Sequence, residues 1–449
     1  RTTPGESSGM IFVRIANAAI LAAATSLLPA AASAAPKHVL TFAYYHQSFG
    51  SVAVNTKLTP QYMAQRVDFI ETSGFDNANL NAFKAAGGRY GTTYIDPTFV
   101  PYCVPPFVPT AGACAGQIGN LNPAESAWFH DASGARINRA DSYTKQYQEF
   151  LNPGSPAARR AIVAWMNGYL QKSPRLDFFF SDDSGSTFTG PKGTSASGAF
   201  YGFNATGVEV RDDKGWIAAE NAMFSATPRK LIINGGDLFR PAYNGVFLKN
   251  PNVAGANHEG CFSSAYYRGR VDDSNGLWQQ TADGLLADLP FKKFSLCMMN
   301  GAPTAASRLY AMASWWMTYD PRYSVAAPIA PDATGNTIFP EFDIVPLQPS
   351  ATAASNVSKL ARGSVYVREF ANCYQAGTPI GACAAIVNPS QSQQSLPRLR
   401  QQYKRELVLD DTSAASGGRA YWRPSSTGTL GPVSALILSE GAVHKSSVR

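Results

Sequence analysis

Two apolar runs in this chain stop abruptly on acids. One is Leu176-Asp-Phe-Phe-Phe-Ser-Asp-Asp, ending on Asp182 and Asp183. The other is Val253-Ala-Gly-Ala-Asn-His-Glu, ending on His258 and Glu259. A strand covered on both faces reads as a near-continuous apolar run, as the strands of a parallel sheet do. Carboxyl groups at the carboxyl ends of such strands stand where a (β/α)8 barrel gathers its reactive groups. A pair of them can cleave an acetal. One protonates the departing oxygen, and the other, ionised, attacks the anomeric carbon or activates a water. Burial and mutual repulsion separate the two pKa values so that each group can play its part.

Polar groups recur at the same end of other apolar runs. Tyr45 and His46 close the first, Glu71 the second and Asp96 the third. Asn234 and then Asp237 follow the fifth, and Asn300 the seventh. A ring of this kind, with Trp and Tyr nearby, suits a sugar, which needs many hydrogen-bond partners and an aromatic face for its C–H surface. Asp182, Asp183 and Glu259 are therefore the catalytic candidates. Tyr45, His46, Glu71, Asp96, Asn234, Asp237, His258 and Asn300 are the substrate-binding ones.

Each has an ordinary alternative. Asp182 and Asp183 could cap the loop that follows, since Asp commonly begins turns. Alternation lets only one of two adjacent residues face inward, and parity with Phe178 and Phe180 favours Asp182. Glu259 could pair with an Arg on the rim, and Asp96 before Pro97 could merely shape its loop. His46 and His258 read as structural or substrate-binding groups ahead of metal ligands. Trp128, Trp315 and Trp316 are candidates to line subsites, although the last two lie in a helical pattern where at least one belongs to the core.

The elements that must position these groups are legible as alternating strands and helices from residue 38 onward. The expected strands are Val39–Tyr45, Val67–Glu71, Tyr90–Ile95, Leu176–Ser181, Leu231–Asn234, Val253–Asn257, Phe294–Met298 and Tyr323–Ala327. Helices are expected over Leu80–Ala86, Ala157–Leu170, Gly215–Ala226, Leu277–Leu289 and Ala305–Tyr319, with Ser155-Pro156 a good start for the second. This is an α/β pattern, that of a (β/α)8 TIM barrel over 37–340. The long insertion 97–150 is expected to roof the site. Past 340, short strand-like runs at Gly363–Phe370, Ala384–Asn388, Glu406–Leu409, Ala420–Arg423 and Ser434–Leu438 indicate a C-terminal antiparallel β-domain over 341–449, packed directly on the barrel.

Bulk composition narrows the class. The 449 residues are 45% hydrophobic and 15% charged, with 38 Gly, 30 Pro and a net charge of +7. There is no basic run or aromatic–basic interleaving of the kind that binds nucleic acid. Met10 to Ala34 has the three-part layout of a secretory signal, so residues 1–35 are set apart from the fold. Their apolar run is too short and Ala-rich for a stable membrane span. A secreted or periplasmic location follows. Of the six Cys, Cys103 with Cys114 and Cys373 with Cys383 bracket loops as local staples. Cys261 and Cys297 form a third bridge or stay as buried thiols. No metal or other cofactor is expected, because no CxxC or HxxxH spacing occurs.

Taken together, these features resemble a secreted TIM-barrel glycoside hydrolase with a C-terminal β-domain. Phe150-Leu-Asn-Pro-Gly-Ser-Pro-Ala-Ala-Arg159, a helix and then Leu-Asp-Phe-Phe-Phe-Ser-Asp-Asp are similar to the lead into the fourth strand of such enzymes. The layout is nearest the alpha-galactosidase-like clan. That resemblance implies a nucleophile at Asp182 or Asp183, an acid/base at Glu259, and retention of anomeric configuration. The chain departs from the clan in ending its sixth strand on His-Glu and in lacking the fourth-strand Lys. The expected activity is hydrolysis of O-glycosidic bonds in an extracellular polysaccharide or oligosaccharide. Two alternatives are a non-catalytic glycan-binding barrel and a metal-dependent hydrolase. The metal reading is disfavoured by only five His and by the lack of a His-x-His pair on the first strand.

Overall fold

The computed structural model describes residues 36–44, 59–72, 77–97, 99–101, 123–140, 147–182, 184, 208–210, 213–234, 241–264, 269–299, 304–327, 339–349, 356–410, 419–425 and 428–441. Pro36–Arg449 form one compact unit. The expected export signal, residues 1–35, lies outside the described residues, as do Tyr45, His46, Asp183, Asp237, Asn300, Cys103 and Cys114.

Eight parallel strands make a single sheet in chain order: β1 Phe42–Tyr44, β2 Phe69–Thr72, β3 Tyr90–Ile95, β4 Phe178–Ser181, β5 Lys230–Asn234, β6 Val253–Glu259, β7 Phe294–Met298 and β8 Ser324–Ala327. A parallel bridge from Thr41 to Ala326 joins the two ends, with the Ala326 amide donating to the Leu40 carbonyl at 2.8 Å. The sheet is a closed barrel, and each expected strand has its counterpart. Among the described residues, seven α-helices connect the strands: α1 Pro60–Arg66, α2 Asn77–Ala85, α3 Pro156–Lys172, α4 Asp213–Ala226, α5 Pro241–Leu248, α6 Leu277–Asp288 and α7 Ala305–Trp316.

Local chemistry sets the helix starts. Pro156 opens α3, where a missing N–H costs nothing, and the Ser155 hydroxyl accepts from the Ala157 and Ala158 amides. Thr59-Pro60 does the same for α1, with the Thr59 hydroxyl accepting from Tyr62. Neither α1 nor α5, which also begins on Pro, is among the helices expected from periodicity. Both are short, of 7 and 8 residues, and show too few turns for a 3.6-residue repeat to emerge.

The barrel interior follows from alternation. Phe42, Phe69, Phe180, Ile232, Leu296, Met298, Val325 and Ala327 form one buried cluster, joined by Tyr90, Tyr94, Phe178 and Phe294. Their odd-numbered or even-numbered neighbours, such as Ile70, Phe179, Ile233 and Ala256, face the helices. Phe69, Tyr90, Phe178 and Phe294 are each the first residue of their strand. Their rings pack at the amino-terminal end, with Phe69 centred 4.5 Å from Tyr90 and 4.9 Å from Phe294. Gly255 leaves room for this plug. A Cβ there would lie 2.4 Å from the Phe294 carbonyl oxygen. With one end filled by aromatics, polar inward-facing groups can meet water at the other.

In the insertion after β3, Phe99–Pro101, Asn138–Ala140 and Tyr147–Phe150 form a three-stranded antiparallel sheet. Its Phe129 and Phe150 pack on Trp216 of α4. Trp128, a candidate subsite residue, is only 5% exposed and is covered by the Arg136 guanidinium.

The C-terminal sheet is antiparallel, in the order β9-β10-β11-β14-β12-β13 for β9 Ile344–Pro349, β10 Val365–Gln375, β11 Thr378–Asn388, β12 Arg405–Leu409, β13 Ala420–Pro424 and β14 Ser434–Ser439. β9 was not anticipated. Its Pro346 and Pro349 mask the strand signal and are tolerated because it is an edge. β10 and β11 run longer than expected, joined by Ala376-Gly377 with both φ positive, at 48° and 82°, the geometry of a tight hairpin turn. Cys373 and Cys383 are bonded across this hairpin.

This sheet rests on α6 and α7 through one continuous apolar core. Trp316 packs edge-on to Phe370, and Trp278 lies against Tyr366. Buried Arg368 donates to the carbonyls of Trp316, Met317 and Tyr319, satisfying the end of α7. Trp315 and Trp316 are thus both core residues with no exposed surface, and neither lines a subsite. Trp316 packs on Phe370 of the β-domain, and Trp315 packs on Tyr319.

Candidate active site

Parity carries Asp182 inward with Phe178 and Phe180, and the same alternation turns Asn234 and Glu259 into the barrel on β5 and β6. The three converge. Asn234 Nδ2 donates to Asp182 Oδ1 at 2.6 Å and reaches Glu259 Oε2 at 3.4 Å. The nearest oxygens of the two acids are therefore no farther apart than these two distances laid end to end. Tyr94 on β3 donates its hydroxyl to the other Asp182 oxygen at 2.8 Å. The carboxylate plane is held at both corners by donors from different strands. Asp182 is half-buried and Glu259 is exposed, so one carboxyl group is fixed in the wall while the other stands at the opening.

Below them, Asn257 Nδ2 donates to Asn234 Oδ1 at 2.7 Å and lies 3.7 Å from Met298 Sδ. Asn257 has no exposed surface and Asn234 is 6% exposed. Tyr94 and Asn257 were not among the candidates read from the sequence. A signal for both exists: each sits two residues before a candidate acid, Asp96 and Glu259, and so shares its face.

Glu71 is fully buried on β2, in register with Tyr44 and Thr92. It lies on the inward alternation set by Phe69, among the interior groups. Asp96 is half-buried just beyond the end of β3.

His258 is not brought to this cluster. It is fully buried on the outer side of β6, where Nε2 meets Asp288 Oδ2 of α6 at 2.5 Å, and Ser295 donates to the same oxygen at 3.0 Å. The expectation of a substrate-binding His258 is corrected by the alternation that delivers Glu259. Adjacent strand residues face opposite sides, so an inward Glu259 sends His258 toward the helices.

The chain leaves β6 through Gly260, at φ 75°, a conformation that suits a residue without Cβ. Cys261 then bonds to Cys297 of β7, with Cα atoms 5.3 Å apart. The Cys261 amide also donates to the Met298 carbonyl at 2.9 Å. Glu259 is thereby followed at once by a strapped segment. Among the described residues, no group of three or more His, Cys, Asp or Glu side chains could hold a metal ion. No helix among them is long and apolar enough to cross a membrane.

No protein-family model and no curated protein sequence matches this chain. Solved structures with a similar course of the backbone include an isomaltulose synthase from Klebsiella sp. LX3, at 11% identity and TM-score 0.46 over 90% of this chain and 99% of that one. A trehalulose synthase variant in complex with Tris is similar at 10% identity and TM-score 0.46, with the same two coverages. An alpha-amylase from Malbranchea cinnamomea is similar at 9% identity and TM-score 0.39, over 86% of this chain and 88% of that one.

Proposed function

We propose that this chain is a glycoside hydrolase that cleaves O-glycosidic bonds with Asp182 and Glu259. The observation that carries the reading is the convergence of those two acids on one amide, that of Asn234, at the carboxyl-terminal end of the barrel strands. Opposed carboxyl groups at this spacing have an evident use in acetal cleavage.

The close approach favours retention. Retaining pairs stand ~5–5.5 Å apart and inverting pairs ~6.5–9.5 Å apart, the latter leaving room for a water. In the retaining reaction, Asp182 attacks the anomeric carbon as Glu259 gives its proton to the departing oxygen. The C–O bond breaks and a glycosyl ester forms. Glu259, now ionised, takes a proton from water, whose oxygen displaces Asp182 and releases the sugar. Tyr94 and Asn234 hold the Asp182 carboxylate in line, so orientation is supplied before substrate arrives. The exposed Glu259 can exchange protons with solvent between steps.

The substrate class is an oligosaccharide or polysaccharide met outside the cytoplasm. Two disulfides among the described residues and the leader-like residues 1–35 support an oxidising compartment. The test is hydrolysis of a panel of glycans, with the anomer of the first-formed sugar read by proton NMR. Product of the opposite configuration would refute retention. Glycan binding without turnover across the panel would favour a non-catalytic barrel.

A further inference from the structure

We propose that Asn257 is a positioning residue for this reaction, deciding through Asn234 which atoms face Asp182 and Glu259. The inference rests on the glycosidase reading above and adds a residue to it.

A planar amide fills nearly the same space in either of two orientations, so shape alone does not choose between them. An ionised carboxylate can only accept hydrogen bonds. Asn234 must therefore present its NH2 to Asp182, 2.6 Å away, which sends its carbonyl oxygen down to Asn257. Asn257 meets that oxygen with its own NH2 at 2.7 Å. Flipping Asn234 would break both contacts at once and set an oxygen against Asp182. The donor on Asn257 thus selects the productive orientation.

Asn257 is itself left with a cost. Its Oδ1 is buried and accepts no hydrogen bond, an arrangement that disfavours an amide at this position. A position filled for packing alone, fully buried beside Met298, would be better served by Leu. The useful part of the side chain is its donor. Among the described residues, the titratable groups bonded to this amide pair are Asp182 and Glu259, with Tyr94 on the far oxygen of Asp182.

Three full-chain variants test the assignment against p-nitrophenyl α- and β-glycosides, with Asp182→Asn as the reference for lost chemistry. Asn257→Leu keeps the volume and removes the donor. It is expected to lower kcat about 100-fold, the scale of a misaligned reacting group, with KM within about twofold. Asn257→Asp can donate to Asn234 only when protonated, so its kcat relative to the unvaried chain should fall as pH rises. A packing role would not produce that slope. Asn257→Ser, smaller and short of reach, should match the Leu variant and serves if that one fails to fold. A crystal structure of Asn257→Leu should show the Asp182–Asn234 contact lengthened beyond hydrogen-bond range. An unchanged kcat in both Asn257→Leu and Asn257→Ser, a pH-independent Asn257→Asp ratio, or a retained 2.6 Å contact would overturn the assignment. If the unvaried chain cleaves none of the glycosides, the glycosidase reading fails for them, and the crystallographic comparison still decides the role of Asn257.

Discussion

Cys261, two residues beyond Glu259, is bonded to Cys297, tying the exit of β6 to the carboxyl-terminal end of β7. The bridge closes a loop with a sequence separation of 36. It therefore restrains both the unfolded chain and the segment that carries the proposed acid/base.

Replacing Cys261 and Cys297 together by Ala is expected to cost about 3–4 kcal/mol of stability, from the loss of loop-closure restraint. The same change should lower kcat by loosening the segment after Glu259. Replacing Cys373 and Cys383, on the distant hairpin, should reduce stability and leave kcat unaltered. Chemical denaturation and turnover, measured side by side, check both halves. Equal kcat in the two double variants would detach the first bridge from the site.

Asp182→Asn and Glu259→Gln should fold as the unvaried chain does and lose about 10²- to 10⁴-fold in turnover, because neither amide can attack carbon or exchange a proton. Asp183→Asn, its neighbour on the alternation, should retain turnover. Circular dichroism and steady-state rates on the active glycan suffice. A fully active Asp182→Asn would remove the nucleophile assignment.

Gly255→Ala should destabilise the barrel by about 1–3 kcal/mol, the usual cost of overpacking. The new methyl group would press on the Phe294 carbonyl oxygen and Cβ, at 2.4 and 2.8 Å. Thermal unfolding measures it. A neutral result would mean that the aromatic plug can shift without loss.

His130 is gripped on both ring nitrogens, by Glu209 at 2.7 Å and Glu125 at 3.0 Å. Hydrogen bonds to Glu125 first, then Glu209, raise its pKa above the ordinary 6.5. Glu125 is drawn down from 4.5 to about 2, by hydrogen bonds from Arg136 first and then His130. The raised base contributes stability that is full below pH 6.5 and is lost as pH rises through its higher folded value. The lowered acid contributes stability present above pH 4.5 and lost as pH falls toward about 2. The contact between the insertion and residues 208–210 should therefore be firmest between those limits. His130→Gln should abolish the decline on the alkaline side only, read as melting temperature against pH. An unchanged alkaline decline in His130→Gln would assign it to other groups.

Much of this was written in local pattern. The eight strand cores were legible because buried parallel strands are apolar on both faces, and Ser155-Pro156 announces its helix by capping chemistry alone. The inward aim of Asp182 needed only the two-residue period from Phe178. Other features required the closed barrel. His258 and Glu259 are adjacent and equally polar, and no local signal says which faces the mouth until β6 has neighbours on both sides. Asp182 and Asn234 end their apolar runs and are legible there, but the amide relay that joins them to Asn257 spans three strands and is legible in none of them alone. Trp316 became core because a second sheet covers α7. One-dimensional periodicity tells which residues share a face, whereas the partner opposite that face is set by packing between segments far apart in the chain, and the chemistry of the site depends on that partner.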